Sequence, residues 1–187
     1  MGLGTIITII LILVAVYLIA SYNGLVKLKN KVEESWSSID VQLKRRYELI
    51  PNLVNTVKGY AAHESGTLEK VIQARNSALT ASSNKDIAGQ VHAEQGLAGA
   101  LKSVFALAES YPDLKANAGF IELQKSLGDI EETVANARRY YNAVVRDNNT
   151  KVESFPTNII AQSFGFGKAE YFELDSADER TAPKVQF

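Results

Sequence analysis

The chain has 187 residues, with 20 Lys and Arg set against 21 Asp and Glu. A balance this even lacks the positive footprint of a dedicated nucleic-acid binder, so no nucleic acid is expected among its partners. The absence of cysteine excludes a disulfide framework, Cys-ligated zinc or iron–sulfur, a thiol nucleophile and a lipoprotein anchor on an N-terminal Cys, and two histidines exclude a His-rich metal site.

Residues 3–22 read LGTIITIILILVAVYLIASY and carry no charged side chain. At about 1.5 Å per residue this run is roughly 30 Å long, the hydrocarbon thickness of a bilayer. It is too long for the apolar region of a signal peptide, and no Lys or Arg precedes it. A buried core helix of this length would show a polar face, and none is present. Residues 1–23 therefore form a transmembrane anchor, with the lipid bilayer as partner through residues 3–22. Tyr17 and Tyr22 fall toward the end of the run, where aromatic rings favour the interface. Lys27, Lys29 and Lys31 follow it. The positive-inside rule then puts the N-terminus outside and the large domain in the cytoplasm of a single-pass plasma (inner) membrane protein.

After the anchor, residues 24–166 form a helical domain. Leu25, Leu28, Val32, Trp36, Ile39, Leu43, Tyr47, Ile50, Val54, Val57 and Ala61 step by 3 and 4, one buried helical stripe. Pro51 lies inside it, removing one hydrogen bond and clashing with the carbonyl of Tyr47. The stripe keeps its phase across the proline, which predicts one kinked helix over 24–62 and a turn at His63-Glu64-Ser65-Gly66. A second helix is predicted over about 67–82, with Leu68, Val71, Ile72, Arg75, Ala78 and Leu79, and a third over about 86–109, with Glu94 at a stripe position. Pro112 suits the first turn of a fourth. Its stripe alternates 3 and 4 from Phe120 to Phe155, a heptad pattern with Asn148 on the seam, and it should stop before Pro156.

These lengths give an all-α fold: an N-terminal transmembrane helix, then an antiparallel bundle of four helices, two of them long. Short connections make neighbours antiparallel. The two long helices would overlap the short ones only in part and run on as a two-helix stalk near the membrane, with Leu28 and Val32 close to Val152 and Phe155. The segment 155–166 would emerge at the bilayer surface. Residues 167–187 lack periodicity and read as an extended or disordered tail.

Three segments resemble the LemA family of bacterial membrane proteins. They are Asp40-Val41-Gln42-Leu43-Lys44-Arg45-Arg46-Tyr47-Glu48-Leu49-Ile50-Pro51-Asn52-Leu53, then Tyr111-Pro112-Asp113-Leu114-Lys115-Ala116-Asn117, then Ala137-Arg138-Arg139-Tyr140-Tyr141-Asn142 with Ser154-Phe155-Pro156-Thr157-Asn158. Order and spacing match as well as composition, over almost the whole chain. The resemblance implies a single N-terminal anchor, a short exterior N-terminus, a helical cytoplasmic domain and no assigned catalytic activity.

The residues themselves offer little chemistry. Glu-x-x-His motifs of a di-iron bundle are absent, since Tyr60 and Gly89 stand three before His63 and His92. No phosphate loop and no Gly-x-Ser-x-Gly elbow occurs. No catalytic, cofactor or metal site is assigned. Lys44, Arg45, Arg46, Arg138 and Arg139 form basic clusters, readable as a surface for an acidic partner or anionic lipid, or as a solvated face paired with Glu48, Glu131 and Glu132. Phe155, Ile159, Ile160, Phe164 and Phe166 lie on an uncharged stretch and are assigned to partner binding or assembly, against packing on the first helix or the lipid interface. The function expected is a non-enzymatic, membrane-anchored scaffold of the cell envelope that forms homo-oligomers. The alternative is an adaptor for another envelope protein or a membrane enzyme, such as the membrane proteases with which relatives of the resembled family keep company.

Overall fold

The computed structural model of the chain describes residues 2–84 and 86–172. Among them the secondary structure is entirely helical, in six elements: α1 (Leu3–Lys58), α2 (Ser65–Ser83), α3 (Ile87–Ala108), α4 (Pro112–Lys115), α5 (Ala118–Glu153) and α6 (Thr157–Ser163). The described residues of Met1–Gln42 and Glu132–Tyr171 make one compact unit, and those of Leu43–Glu131 and Phe172–Phe187 another. α1 and α5 each contribute to both.

The anchor and the first helix of the domain are not two elements. α1 runs 56 residues without a break, through the boundary expected at residue 23 and through Pro51. Nothing between Tyr22 and Lys27 breaks a helix: the lone glycine, Gly24, is tolerated in a long helix. Residues 2–20 are all exposed, an apolar surface that the rest of the chain touches at Tyr17. It is the one helix among the described residues long and apolar enough to cross a membrane. α1 stops at Lys58, short of the expected residue 62, where Gly59 starts a turn.

α2 and α3 match their predicted spans to within two residues. Asp86 caps α3, its carboxylate accepting from the Gly89 N–H at 2.9 Å. The fourth helix does not run unbroken from Pro112. A single turn, α4, is followed by Asn117, whose side-chain oxygen accepts from the Phe120 N–H at 2.9 Å and starts α5 afresh. An Asn at that place satisfies a donor that a continuing helix would have bonded internally.

In the unit containing Leu43–Glu131 the core draws on the α1 stripe (Leu43, Tyr47, Ile50, Leu53, Val57), on Val71 and Ala78 of α2, on Leu97 and Val104 of α3, and on Leu114, Phe120 and Leu127. The unit containing Met1–Gln42 is built from α1, α5 and α6. Here α5 runs antiparallel to α1: Tyr140 lies under Lys31, and Trp36 meets Tyr141 edge-on with ring centroids 5.4 Å apart. Near the apolar end a third element joins. Ile160 and Ala161 of α6 are buried with Leu25, and Val152 and Phe166 close over them. The expected two-helix stalk thus holds α6 as well, and Val152 reaches α1 while Phe155, 80% exposed, does not.

Residues 168–172 carry no helix; the backbone at Ala169 and Glu170 is hydrogen-bonded to α5, while the side chains of Lys168, Glu170 and Tyr171 are exposed. The remainder of the expected tail, 173–187, lies outside the described residues.

Candidate functional site

Two constellations gather the polar side chains that the sequence places on apolar stripes. The first, in the unit containing Leu43–Glu131, centres on α1. Arg46 is only 3% exposed and Glu94 5%. The Arg46 guanidinium is ion-paired with the Glu94 carboxylate and with Glu131, and the Tyr47 hydroxyl donates to Glu94. The fully buried Gln90 donates to the Tyr47 hydroxyl at 3.4 Å. Burying a charge is expensive unless it is paired and hydrogen-bonded, and here each of the two buried charges has the other.

Pro51 supplies the second half of this cluster. Without an N–H it leaves the Tyr47 carbonyl, four residues back, without its helical donor. Arg75 of α2 fills the place, its Nε donating to the Tyr47 oxygen at 2.7 Å. The helix crosses its proline because a cation from the neighbouring helix completes the hydrogen bond.

The second constellation, in the unit containing Met1–Gln42, binds the chain after α6 to the flank of α5. Asn149 uses both ends of its amide on one residue: its Oδ1 accepts from the Ala169 N–H at 2.8 Å and its Nδ2 donates to the Ala169 carbonyl at 3.0 Å. Asn148 donates to the Asn149 oxygen at 3.2 Å. Farther along, the Tyr141 hydroxyl donates to the Glu170 carbonyl at 2.8 Å. Burial pushes the Tyr141 phenol up to about 12, with the Glu170 carboxylate adding to the effect. At the other end of the unit the Tyr17 and Thr157 hydroxyls lie 3.3 Å apart, and Tyr22 meets Phe164 and Phe166 edge-on at 5.0 and 5.6 Å.

The basic cluster assigned from sequence divides. Lys44, Arg45 and Arg139 are exposed and Arg138 is half-buried. Arg46 is not a surface residue: its stripe neighbours Leu43, Tyr47 and Ile50 carry it into the core, where Glu94 and Glu131 hold it. The five residues assigned to assembly divide as well. Ile160 and Phe166 pack on α1, Phe164 touches Tyr22 with one edge but is largely exposed, and Phe155 and Ile159 stay open to the surroundings. Asn148 is buried on its seam, and Trp36 packs against Tyr141. His63 and His92 are exposed. Among the described residues no group of three or more His, Asp or Glu is placed to hold a metal ion.

Sequence reasoning missed Arg75 and Asn149. The signal for Arg75 was the carbonyl that Pro51 orphans, which requires a donor from elsewhere. For Asn149 it was the second Asn beside a stripe asparagine.

Comparison with known proteins adds a family. The family model described as LemA matches residues 35–187. A Protein LemA of Metamycoplasma hominis is 26% identical over 157 residues, 83% of this chain and 70% of the relative. Magnetosome protein MamQ 2 of Paramagnetospirillum magneticum is 25% identical over 185 residues, 87% of this chain and 68% of the relative. Magnetosome protein MamQ of Magnetospirillum gryphiswaldense is 23% identical over the same shares.

Proposed function

This chain belongs to the LemA family, and on that premise we propose that it is a membrane-anchored helical scaffold of the bacterial cell envelope, acting by assembly and not by catalysis. The observation that carries this reading is α1, one helix that begins as an exposed apolar surface and continues as the buried stripe of the helical domain. An element of this kind joins a bilayer to a folded body without a hinge. The polar side chains agree with it. Arg46, Glu94 and Tyr47 pair with one another inside the core, and the half-buried Arg75 is engaged by the Tyr47 carbonyl. The MamQ relatives are named for a magnetosome.

Self-association is part of the proposal. Val41 of α1 and Ile121 and Tyr140 of α5 are exposed apolar side chains on the two long helices, each open to a neighbouring copy. Extraction of the full-length chain in mild detergent followed by native mass measurement tests it. A mass that is a multiple of the 20.5 kDa chain is expected. A single chain alone, or one chain with a stoichiometric foreign protein, overturns the homo-oligomer, and the latter result replaces it with the adaptor.

A further inference from the structure

We propose that the α5–α6 turn and α6 form an interfacial foot, with Phe155, Ile159 and Phe164 seated in the headgroup and upper acyl region of the same bilayer that α1 crosses. The inference rests on reading the apolar part of α1 as a bilayer span.

Depth is the first argument. The Tyr17–Thr157 contact, at 3.3 Å, sets the start of α6 at the level of Tyr17, and the Tyr22–Phe164 contact, at 5.0 Å, sets its end at the level of Tyr22. α6 therefore runs beside the Tyr17–Leu25 part of α1, with Ile160 and Ala161 against Leu25, about 12 Å of helix. Helices that lie in a membrane interface bury their apolar side roughly 5–10 Å into it. Phe155 lies between Val152, which packs with Leu25, and Thr157, which meets Tyr17, so the chain carries it toward the apolar segment.

Exposure is the second. Beyond residue 22, Phe155 (80%), Phe164 (64%) and Ile159 (57%) are the most exposed large apolar side chains among the described residues. They lie in and beside the segment that touches α1 at Tyr17, Tyr22 and Leu25, and Phe164 meets Tyr22 directly.

Charge is the third. Residues 154–167 contain no ionisable side chain; Glu153 and Lys168 stand immediately outside them, with Lys151 two residues before Glu153. Lys27, Lys29 and Lys31 leave α1 just past the same level. An uncharged, aromatic-rich stretch bracketed by lysines matches the interface: rings at the boundary, ammonium groups reaching outward to anionic headgroups. Glu153, the one acid beside the stretch, is ion-paired with Lys168, so its charge is compensated. A second copy of the chain would cover the apolar atoms equally well. It would give no reason for the segment to sit at the depth of Tyr17 or to be bracketed by lysines.

The test uses the full-length chain in vesicles of phosphatidylcholine and phosphatidylglycerol. Trp36, the single tryptophan, is first replaced (Trp36→Phe), and single reporters are placed by Phe155→Trp, by Ile159→Trp, and by Leu11→Trp within the span. Bromine on the lipid chains, at shallow or deep carbons, reads depth, and iodide in the buffer reads water. The expected result for both α6-region reporters is a blue-shifted emission that loses most of its intensity to shallow bromine and little to iodide. Leu11→Trp should respond to deep bromine. If iodide quenches both α6-region reporters while Leu11→Trp answers to lipid, the foot is wrong and the anchor stands. If Leu11→Trp escapes lipid bromine, the anchor reading fails and the foot with it. Protection from both quenchers that grows with protein-to-lipid ratio assigns the surface to a neighbouring copy and overturns the proposal. The Ile159→Trp reporter carries the test alone should Phe155→Trp fail to fold.

Discussion

Arg46 and Glu94 are a pair whose worth depends on both being present. Removing one leaves a desolvated charge, which typically costs about 3–5 kcal/mol, whereas replacing both with apolar groups of similar volume is often neutral or better. Arg46→Met alone is therefore expected to lower stability by that order, and Arg46→Met with Glu94→Leu to regain most of it. Thermal unfolding of the full-length protein in detergent reads the difference. Tyr141 gives a pH signature. Its phenol is raised to about 12 in the folded state, from an unfolded value of about 10. Below pH 10 both states hold the proton and stability does not depend on it. Between about pH 10 and 12 the unfolded state loses its proton first, so stability falls as pH rises. The advantage of the native protein over Tyr141→Phe, about 1 kcal/mol from the hydrogen bond to Glu170, should be constant below pH 10 and shrink above it. An advantage that grows there would contradict the assignment.

At the scale of the element, α1 shows how a long helix carries a proline. Its stripe was legible from sequence because 3-and-4 spacing reports a buried face directly, and that spacing held its phase across Pro51. The donor that replaces the lost N–H was not legible, because it comes from α2 and depends on how the two helices dock. Arg75→Met should cost roughly 1.5–3 kcal/mol, the range for a hydrogen bond to a charged group. In a Pro51→Ala background residue 51 regains its N–H, the Tyr47 carbonyl is satisfied within α1, and the cost of Arg75→Met should fall well below that. A double-mutant cycle measures the coupling, and equal costs in the two backgrounds would show that Arg75 serves something other than this carbonyl. The start of α5 carries the same lesson. Pro112 marks a helix start, yet the cap that governs the long helix is Asn117, five residues on. Periodicity shows that a face is buried, whereas a capping side chain competes with the helix it interrupts, and only geometry decides which wins.

For the whole molecule, the elements were readable while the placement of their polar residues was not. The anchor, the four main helices and their order follow from run lengths and stripes. Arg46, read among surface cations, lies inside because its neighbours on the stripe take it there, and charge alone does not reveal the facing carboxylate. The orientation proposed from Lys27, Lys29 and Lys31 makes the next prediction. With no native cysteine, Gly2→Cys should react with a membrane-impermeant maleimide on intact cells, and Arg139→Cys only after lysis. The reverse pattern would invert the topology.

The continuity of α1 makes the protein sensitive to angular phase. Within the unit containing Met1–Gln42, α6 grips α1 at Tyr17, Tyr22 and Leu25, and α5 grips it at Lys31 and Trp36. One alanine inserted after Val26 would turn everything beyond it by about 100° and lift it by about 1.5 Å relative to the apolar segment. The α6 contacts and the α5 contacts would then point in different directions. A seven-residue insertion nearly restores the angle but lengthens α1 by about 10 Å, while the α5–α6 chain stays the same length. Neither change alters a single side chain in contact, yet both should release one of the two grips. The helix thus acts as a gear shaft meshed at two places, and its evolution is confined to changes that conserve both angle and length between Leu25 and Lys31.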